Sequence, residues 1–347
     1  MGNKIILAID TSCDETSAAV TSGTEILSNI VWSQASLHAK FGGVMPSLAK
    51  RMHEDKIDFV VNKTLENCKL KIENCDAIAV TAGPGLAIAL EVGIKKAKEL
   101  AQKYRLPLIP INHIEAHTLS ALAESSAKHI VHSTQANHFP AIGLVVSGGN
   151  TQCILINKIG EYETLAQTRD DALGEALDKA ARMLGLGYPG APVLEKMAKL
   201  GTPKTFPLPI PLIGQHANYY SYSGLKAAMY RLVKKLESEK IINRQTIYDL
   251  AATFQDVAFK HFTNISFEQI QKHQISHLFC GGGVMANVEL RKRIRDLSRK
   301  HGIIAHFPYN KRLCTDNAGM IGVTAFLRGN FQNQQNFERL PKWPIGT

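Results

Sequence analysis

The sequence predicts an α/β protein of two similar lobes facing each other. Two observations carry this prediction. The order strand, small polar turn, strand, turn, strand occurs at the N-terminus and again near residue 141, each time followed by helical patterns. The chain is also long enough, at 347 residues, for two domains, and 45% hydrophobic with 20% charged residues supplies a core for each.

The elements follow in order. Residues 5–9 form an apolar strand, residues 10–16 a polar turn, and residues 18–20 and 25–32 two further strands joined at Gly23. Residues 52–67 have helical spacing. Residues 76–80 are a strand running into the loop Ala82-Gly83-Pro84-Gly85. Residues 91–104 are a helix, 107–111 a strand, and a helix starts near Ile114. The second copy begins with a strand at 141–146, a turn from Ser147 to Thr151, and strands at 153–157 and 162–165. Helices are predicted over 172–184, 193–200, 222–239 and 246–272, with a Pro-rich loop at 202–211. A strand at 277–280 runs into Gly281-Gly282-Gly283, then a basic helix at 286–300, a strand at 303–307 and a last helix at 318–327. The tail from Gly329 is rich in Asn and Gln and is expected to be poorly ordered.

Composition excludes several classes. The six cysteines form no CxxC pair and read as scattered reduced thiols, which points to the cytoplasm. The apolar run at 5–9 is short and ends in Asp10, unlike a signal peptide, and the stretch 78–94 is interrupted by Thr81, Pro84 and Glu91, so no membrane span is expected. The formal charge of +10 suits a polyanionic partner such as nucleic acid.

The sharpest local signal is His113-Ile-Glu-Ala-His117. Histidines at i and i+4 share one helix face and can share a metal ion, or each can cap or pack separately. Glu115 lies about 200° round the helix from His113. It therefore cannot play the part of the glutamate beside the first histidine in a zinc peptidase. Thr315-Asp316-Asn317 precedes an apolar helix, so Thr315 or Asp316 is either an N-cap or, for Asp316, the third ligand of a two-His, one-carboxylate set open to Fe(II) or Zn(II).

Two glycine turns stand out. Val146-Ser-Gly-Gly-Asn-Thr151 is an ordinary hairpin turn or an anion-facing one. Gly281-Gly-Gly-Val-Met-Ala-Asn287 places glycines between a strand and a helix start, a cradle for a nucleotide phosphate. Asp10, Asp14 and Glu15 cluster in the first turn, either as solvated acids or to position a water, a metal-bound phosphate or an attacking amine. Asp170, Asp171, Glu175 and Asp178 form a second acidic group, the last three at helical spacing. The cations of 291–300 are a solvated face or an RNA contact.

Together these segments resemble the tRNA threonylcarbamoyladenosine synthase family, the bacterial TsaD type once labelled glycoprotease. The resemblance covers roughly residues 4–325. It rests on IDTSCDETSAAV (9–20), GGVMPSLAKRMH (42–53), AVTAGPGL (79–86), NHIEAH (112–117), VSGGNTQ (146–152), the block at 170–192, YSGLK (222–226), FCGGGVMAN (279–287) and CTDNAGM (314–320). It implies an actin-like ATPase (ASKHA) fold of two RNase H-like lobes, with mixed sheets flanked by helices and a central cleft. The lobes would be residues 1–118 with 317–347, and 119–316 with a helical insertion around 180–260.

The resemblance further implies transfer of a threonylcarbamoyl group from threonylcarbamoyl-AMP to N6 of adenosine 37 in tRNAs reading codons that begin with A. His113, His117 and Asp316 would hold one divalent metal ion, Fe(II) or Zn(II). Val145, Val146, Ser147, Gly148 and Gly149 would line the adenylate site, and Asp178, Ala191, Glu195 and Asn287 would contact its nucleoside. Asp14 or Glu15 would orient or deprotonate the amine. A TsaB-like paralogue and a TsaE-like ATPase are the implied partners. Three departures are visible. Val145 stands where archaeal and eukaryotic relatives carry Tyr, which excludes a Tyr metal ligand. Gly190-Ala191-Pro192 replaces Gly-Gly-Pro, and a glycine is lost from the pattern at 83–90. A small-molecule kinase on the same fold and a non-catalytic scaffold are the competing functions.

Overall fold

In a computed structural model the chain builds two sheets of matching topology. Residues 3–125, 138–214 and 218–347 are described; 126–137 and 215–217, inside the expected second lobe, lie outside them. The first sheet contains β1 (Ile5–Asp10), β2 (Glu15–Ser22) and β3 (Glu25–Ser33). A short helix α1 (Ala35–His38) and the long α2 (Pro46–Cys68) follow. Then come β4 (Ala77–Gly83), α3 (Ala87–Tyr104), β5 (Leu108–Asn112) and α4 (His113–Leu119). The strand order is β3-β2-β1-β4-β5, with β1, β4 and β5 parallel and β2 and β3 antiparallel.

The second sheet repeats that plan. It contains β6 (Ala141–Val146), β7 (Thr151–Lys158), β8 (Glu161–Thr168), α5 (Leu173–Met183) and α6 (Ala191–Ala198). These are followed by β9 (Tyr219–Tyr220), α7 (Ser223–Ser238), α8 (Arg244–Lys272), β10 (His277–Gly281), α9 (Val288–Lys300), β11 (Ile304–His306) and α10 (Ala318–Arg328). Its order is β11-β10-β6-β7-β8-β9, so β6 matches β1, β10 matches β4 and β11 matches β5. Only β9 is added.

The central strands are apolar throughout because both faces are covered. Leu7 and Ile9 pack in one core with Val60, Val61 and Leu90 of α2 and α3, while Ile6 and Ala8 point the other way, onto Ile321 and Ala325 of α10. In the second sheet Ile142, Leu144 and Val146 join Leu177, Phe254 and Phe262, whereas Val145 faces Ile114 and Leu119. α4 thus belongs by sequence to the first sheet and packs by its far side on the second. Gly281 allows this. A Cβ there would collide with the backbone carbonyl of His117.

Two expectations are corrected. The tail is not loose but is strapped along the first sheet. Leu340 N donates to Ala82 O at 2.7 Å, Lys98 Nζ to Phe337 O at 2.6 Å, and Asn112 Nδ2 to Trp343 O at 3.1 Å. Polar composition hid this because most of the fastening uses backbone groups. The basic helix expected over 286–300 begins two residues later, at Val288, and a single 3₁₀ turn at Gly283–Ala286 stands between it and the glycine run. Gly282 has φ +92°, and the backbone of Val146 lies where its Cβ would be. Among the described residues no helix is long and apolar enough to cross a membrane.

Candidate metal centre and cleft

The short helix α4 after β5 carries the two histidines on successive turns, and a neighbouring asparagine fixes it. Asn112 Oδ1 accepts from the amides of Ile114 at 2.9 Å and Glu115 at 3.2 Å, which caps α4 and sets the angle of His113 and His117. The opposing carboxylate is placed by a second asparagine. Asn317, rather than Thr315 or Asp316, caps α10, accepting from Met320 N at 3.2 Å and donating through Nδ2 to Thr315 O at 2.7 Å. Asp316, held between these contacts, turns its carboxylate to the imidazoles.

Asp316 Oδ1 is 3.0 Å from His117 Nε2 and 3.5 Å from His113 Nε2. The two rings stand edge to face, 4.5 Å apart between centroids. His113, His117 and Asp316 each offer a ligand atom within 4.8 Å of the others, a group that could hold a metal ion. The fit can be tested. Four-coordinate ions with bonds of about 2.0–2.1 Å require ligand atoms about 3.3 Å apart, and these separations bracket that value. The outer nitrogens, Nδ1 of both histidines, and Asp10 Oδ2 are buried and have no hydrogen-bond partner among the described residues. Asp10 Oδ1 lies 3.9 Å from His113 Nδ1.

Burial by itself would raise the Asp316 carboxyl. The two imidazoles reverse this and hold it far below the usual carboxylate range, so it is ionised. Burial lowers His117, and His113 beside it lowers it further. His113 faces the same burial, but Asp316 and Asp10 raise it. Glu115 points away, as its position on the helix requires. Its Oε1 accepts from Tyr162 OH at 2.8 Å and pairs with Arg328 Nε at 3.3 Å.

His113 and Asp316 open onto a cavity of about 670 Å³ between the sheets. The equivalent turns of the two sheets meet across it. Asp14 comes from the β1–β2 turn and Glu15 from the first position of β2, and Ser147, Gly148 and Gly149 come from the β6–β7 turn. Both turns end strands at their carboxyl edge, where α/β folds bind ligands. Burial raises the Glu15 carboxyl, and Asp14 and Asp316 raise it further. Ser33 Oγ donates to Glu15 Oε1 at 3.2 Å. Among the described residues no acceptor is paired with the amides of Gly148 and Gly149, and a Cβ on either would meet nothing within 4 Å.

The remaining expected site residues stand as follows. Asp178 lines the cavity, and its Oδ1 accepts from the amides of Gly190 at 2.8 Å and Ala191 at 2.6 Å. Glu195 accepts from Val288 N at 3.1 Å. Asn287 caps α9 through Oδ1 and donates to Gln255 Oε1 at 3.0 Å. Ala191, Glu195 and Asn287 are not among the described residues that line this cavity, and the side chains of Val145 and Val146 lie in the cores. The other acids are absorbed locally. Asp170 binds Ser221, Tyr222 N and Ser223, and Asp171 pairs with Lys179 and Lys226.

Sequence reasoning passed over Lys179, Arg182 and His53. Lys179 and Arg182 line the cavity, and Arg182 donates to the carbonyl of Gly42 across it. Their signal was present: Arg182 continues the 171, 175, 178 spacing by four residues. His53 Nε2 is 3.0 Å from Cys13 O and its Nδ1 is 2.8 Å from Thr16 Oγ1, which braces the turn bearing Asp14. In the basic helix, Arg291 and Arg295 lie over Phe307, and Arg293 pairs with Asp256 and Glu289. These three cations are used in packing.

A family model described as TsaD: tRNA N6-adenosine threonylcarbamoyltransferase matches residues 25–323. A tRNA N6-adenosine threonylcarbamoyltransferase of Microcystis aeruginosa is 42% identical over 327 residues, covering 92% of this chain and 91% of its own. That of Geotalea uraniireducens is 39% identical over 346 residues, covering 99% and 97%. Among solved structures, component A of the Acidaminococcus fermentans (R)-2-hydroxyglutaryl-CoA dehydratase matches with TM-score 0.51 at 14% identity, over 93% of this chain and 97% of that one. T. kodakarensis HypF matches with TM-score 0.59 at 15% identity, over 94% and 47%. At such identities the likeness is one of fold, the two-lobed ASKHA type.

Proposed function

The chain belongs to the TsaD family, the tRNA N6-adenosine threonylcarbamoyltransferases, and from that premise we propose how its cleft performs the transfer. The activity is formation of N6-threonylcarbamoyladenosine in tRNA. The donor in this reading is threonylcarbamoyl-AMP, and a cavity of about 670 Å³ has the size of sites that enclose such molecules. The lobes that hold it are residues 1–118 with 317–347, and residues 119–316.

The bond to be made joins adenosine N6 to the donor's carbonyl carbon. The bond to be broken joins that carbon to the phosphate oxygen, and AMP leaves. The free amides of Gly148 and Gly149 face the phosphate, with Arg182, whose guanidinium is bonded to a neutral carbonyl, nearby to offset its charge. Asp178 holds the 190–191 turn against the adenine end. His113, His117 and Asp316 would hold one divalent ion, Fe(II) or Zn(II), which when bound supplies Lewis acidity to a donor oxygen. Glu15, raised by burial and by Asp14, accepts or orients the N6 proton, with Asp14 as its alternative. The chain's net charge of +10 favours the tRNA phosphates, and an anticodon-loop base can be splayed out to reach the cleft. A TsaB-like paralogue and a TsaE-like ATPase are the proposed partners, and the cytoplasm the proposed compartment.

One observation carries this mechanism: two imidazoles and a carboxylate meet beside a cavity, with His113 and Asp316 on its wall, that two equivalent turns close from either side. Mass analysis of tRNA treated with the protein and threonylcarbamoyl-AMP, with and without chelator, tests it. Modification lost on chelation and restored by Zn(II) or Fe(II) is expected. Full single-turnover rate in Asp14→Asn and in Glu15→Gln would remove both as proton carriers. ATP hydrolysis without tRNA, unaffected by His113→Ala, would favour the kinase reading.

A further inference from the structure

Three histidines converge on the second sheet, away from the cleft. His277 opens β10, His306 closes β11, and His138 lies just before β6. In the parallel pairing Phe279 is opposite His306, so His277, two residues earlier, shares its face. His277 Nδ1 and His306 Nε2 are 3.0 Å apart and their rings stack at 5.3 Å. The His138 ring lies 4.9 Å from that of His277 and 5.2 Å from that of His306. Each of the three offers a ring nitrogen within 4.8 Å of the others.

We propose that His138, His277 and His306 form a second metal site, binding a borderline divalent transition ion such as zinc. The group holds imidazoles and no carboxylate, which suits Zn(II), Co(II), Ni(II) or Cu(II) and disfavours Mg(II) and Ca(II). Phe279 stacks on His306 at 4.9 Å and fixes its ring. All three histidines are half-buried, leaving the ion accessible. His306 also borders a cavity of about 370 Å³, which gives room for a further ligand or water. The ion would staple the three-residue edge strand β11 to β10 and to the start of β6.

The test separates this site from the cleft by removing the cleft pair. The His113→Ala, His117→Ala double variant is dialysed against Zn(II) or Co(II) and its metal content measured. About one equivalent should remain bound, with Co(II) visible absorption, and binding should raise Tm by about 3 °C or more. Adding His306→Gln, or His277→Asn with the circular dichroism of the parent, should abolish both signals. A cleft-deficient variant that binds no metal would overturn the site. So would one equivalent retained after either substitution. Loss of the cleft ion alone leaves this result unchanged, so the outcome is independent of the transferase mechanism.

Discussion

His113, His117 and Asp316 come from two segments about 200 residues apart in sequence, yet their ligand atoms lie within 4.8 Å of one another, close enough that the group could hold an ion. Truncating the carboxylate leaves two buried imidazoles without their counter-charge. Asp316→Ala should lose tight metal binding and lower transfer about 10²-fold or more, since such an ion is worth several kcal/mol at the reacting carbonyl. Metal content and single-turnover rates check both parts. Glu115 makes the opposite prediction. Its carboxylate is committed to Tyr162 and Arg328 on the far face of α4. Glu115→Gln should keep its metal equivalent and transfer within about threefold of the parent, a change under about 1 kcal/mol. A peptidase arrangement would require that residue for activity.

At the scale of elements, capping decides where side chains point. Asn287→Ala removes the α9 cap and leaves Gln255 without its buried partner. It should cost about 1–3 kcal/mol by urea denaturation. The start of α5 supplies a pH signature. Burial would raise the Asp171 carboxyl, but Lys179 and Lys226 outweigh it and hold it below the ordinary value. A carboxyl depressed in the folded state contributes stability above its unfolded pKa, about 3.9, and loses it as pH falls through the folded one. The stability gap between the parent and Asp171→Asn should therefore be constant from pH 7 to 5 and shrink below about pH 4. A gap that widens on acidification would reverse the assignment.

For the whole molecule, the coupling between lobes runs through close backbone contact. α4 rests on β10 only because Gly281 has no side chain. Gly281→Ala should push α4 outward and cost about 1–3 kcal/mol by overpacking. It should also weaken metal binding at least about tenfold without touching a ligand, as small misplacements of a constellation do. Calorimetry and metal titration of the same preparation would show both, and an unchanged affinity would mean that the lobes adjust independently. The tail acts at this scale too. Its straps to Ala82, Lys98 and Asn112 brace the sheet from which α4 springs.

The sequence by itself determined the duplicated strand plan, because apolar runs ending in small polar turns encode strands locally. It also determined the shared face of His113 and His117 and the outward turn of Glu115, because helix geometry is a local rule. Only the tertiary structure decided that Asp316 meets that pair, that Asn317 rather than its neighbours caps α10, and that the Asn-rich tail is fastened down. It alone placed Val145 and Val146 in the cores, tied Asn287 to Gln255 and the start of α9, and set Lys179 and Arg182 on the cavity wall. These depend on packing between segments distant in sequence, where the partner of a polar group is chosen by proximity that no local pattern records.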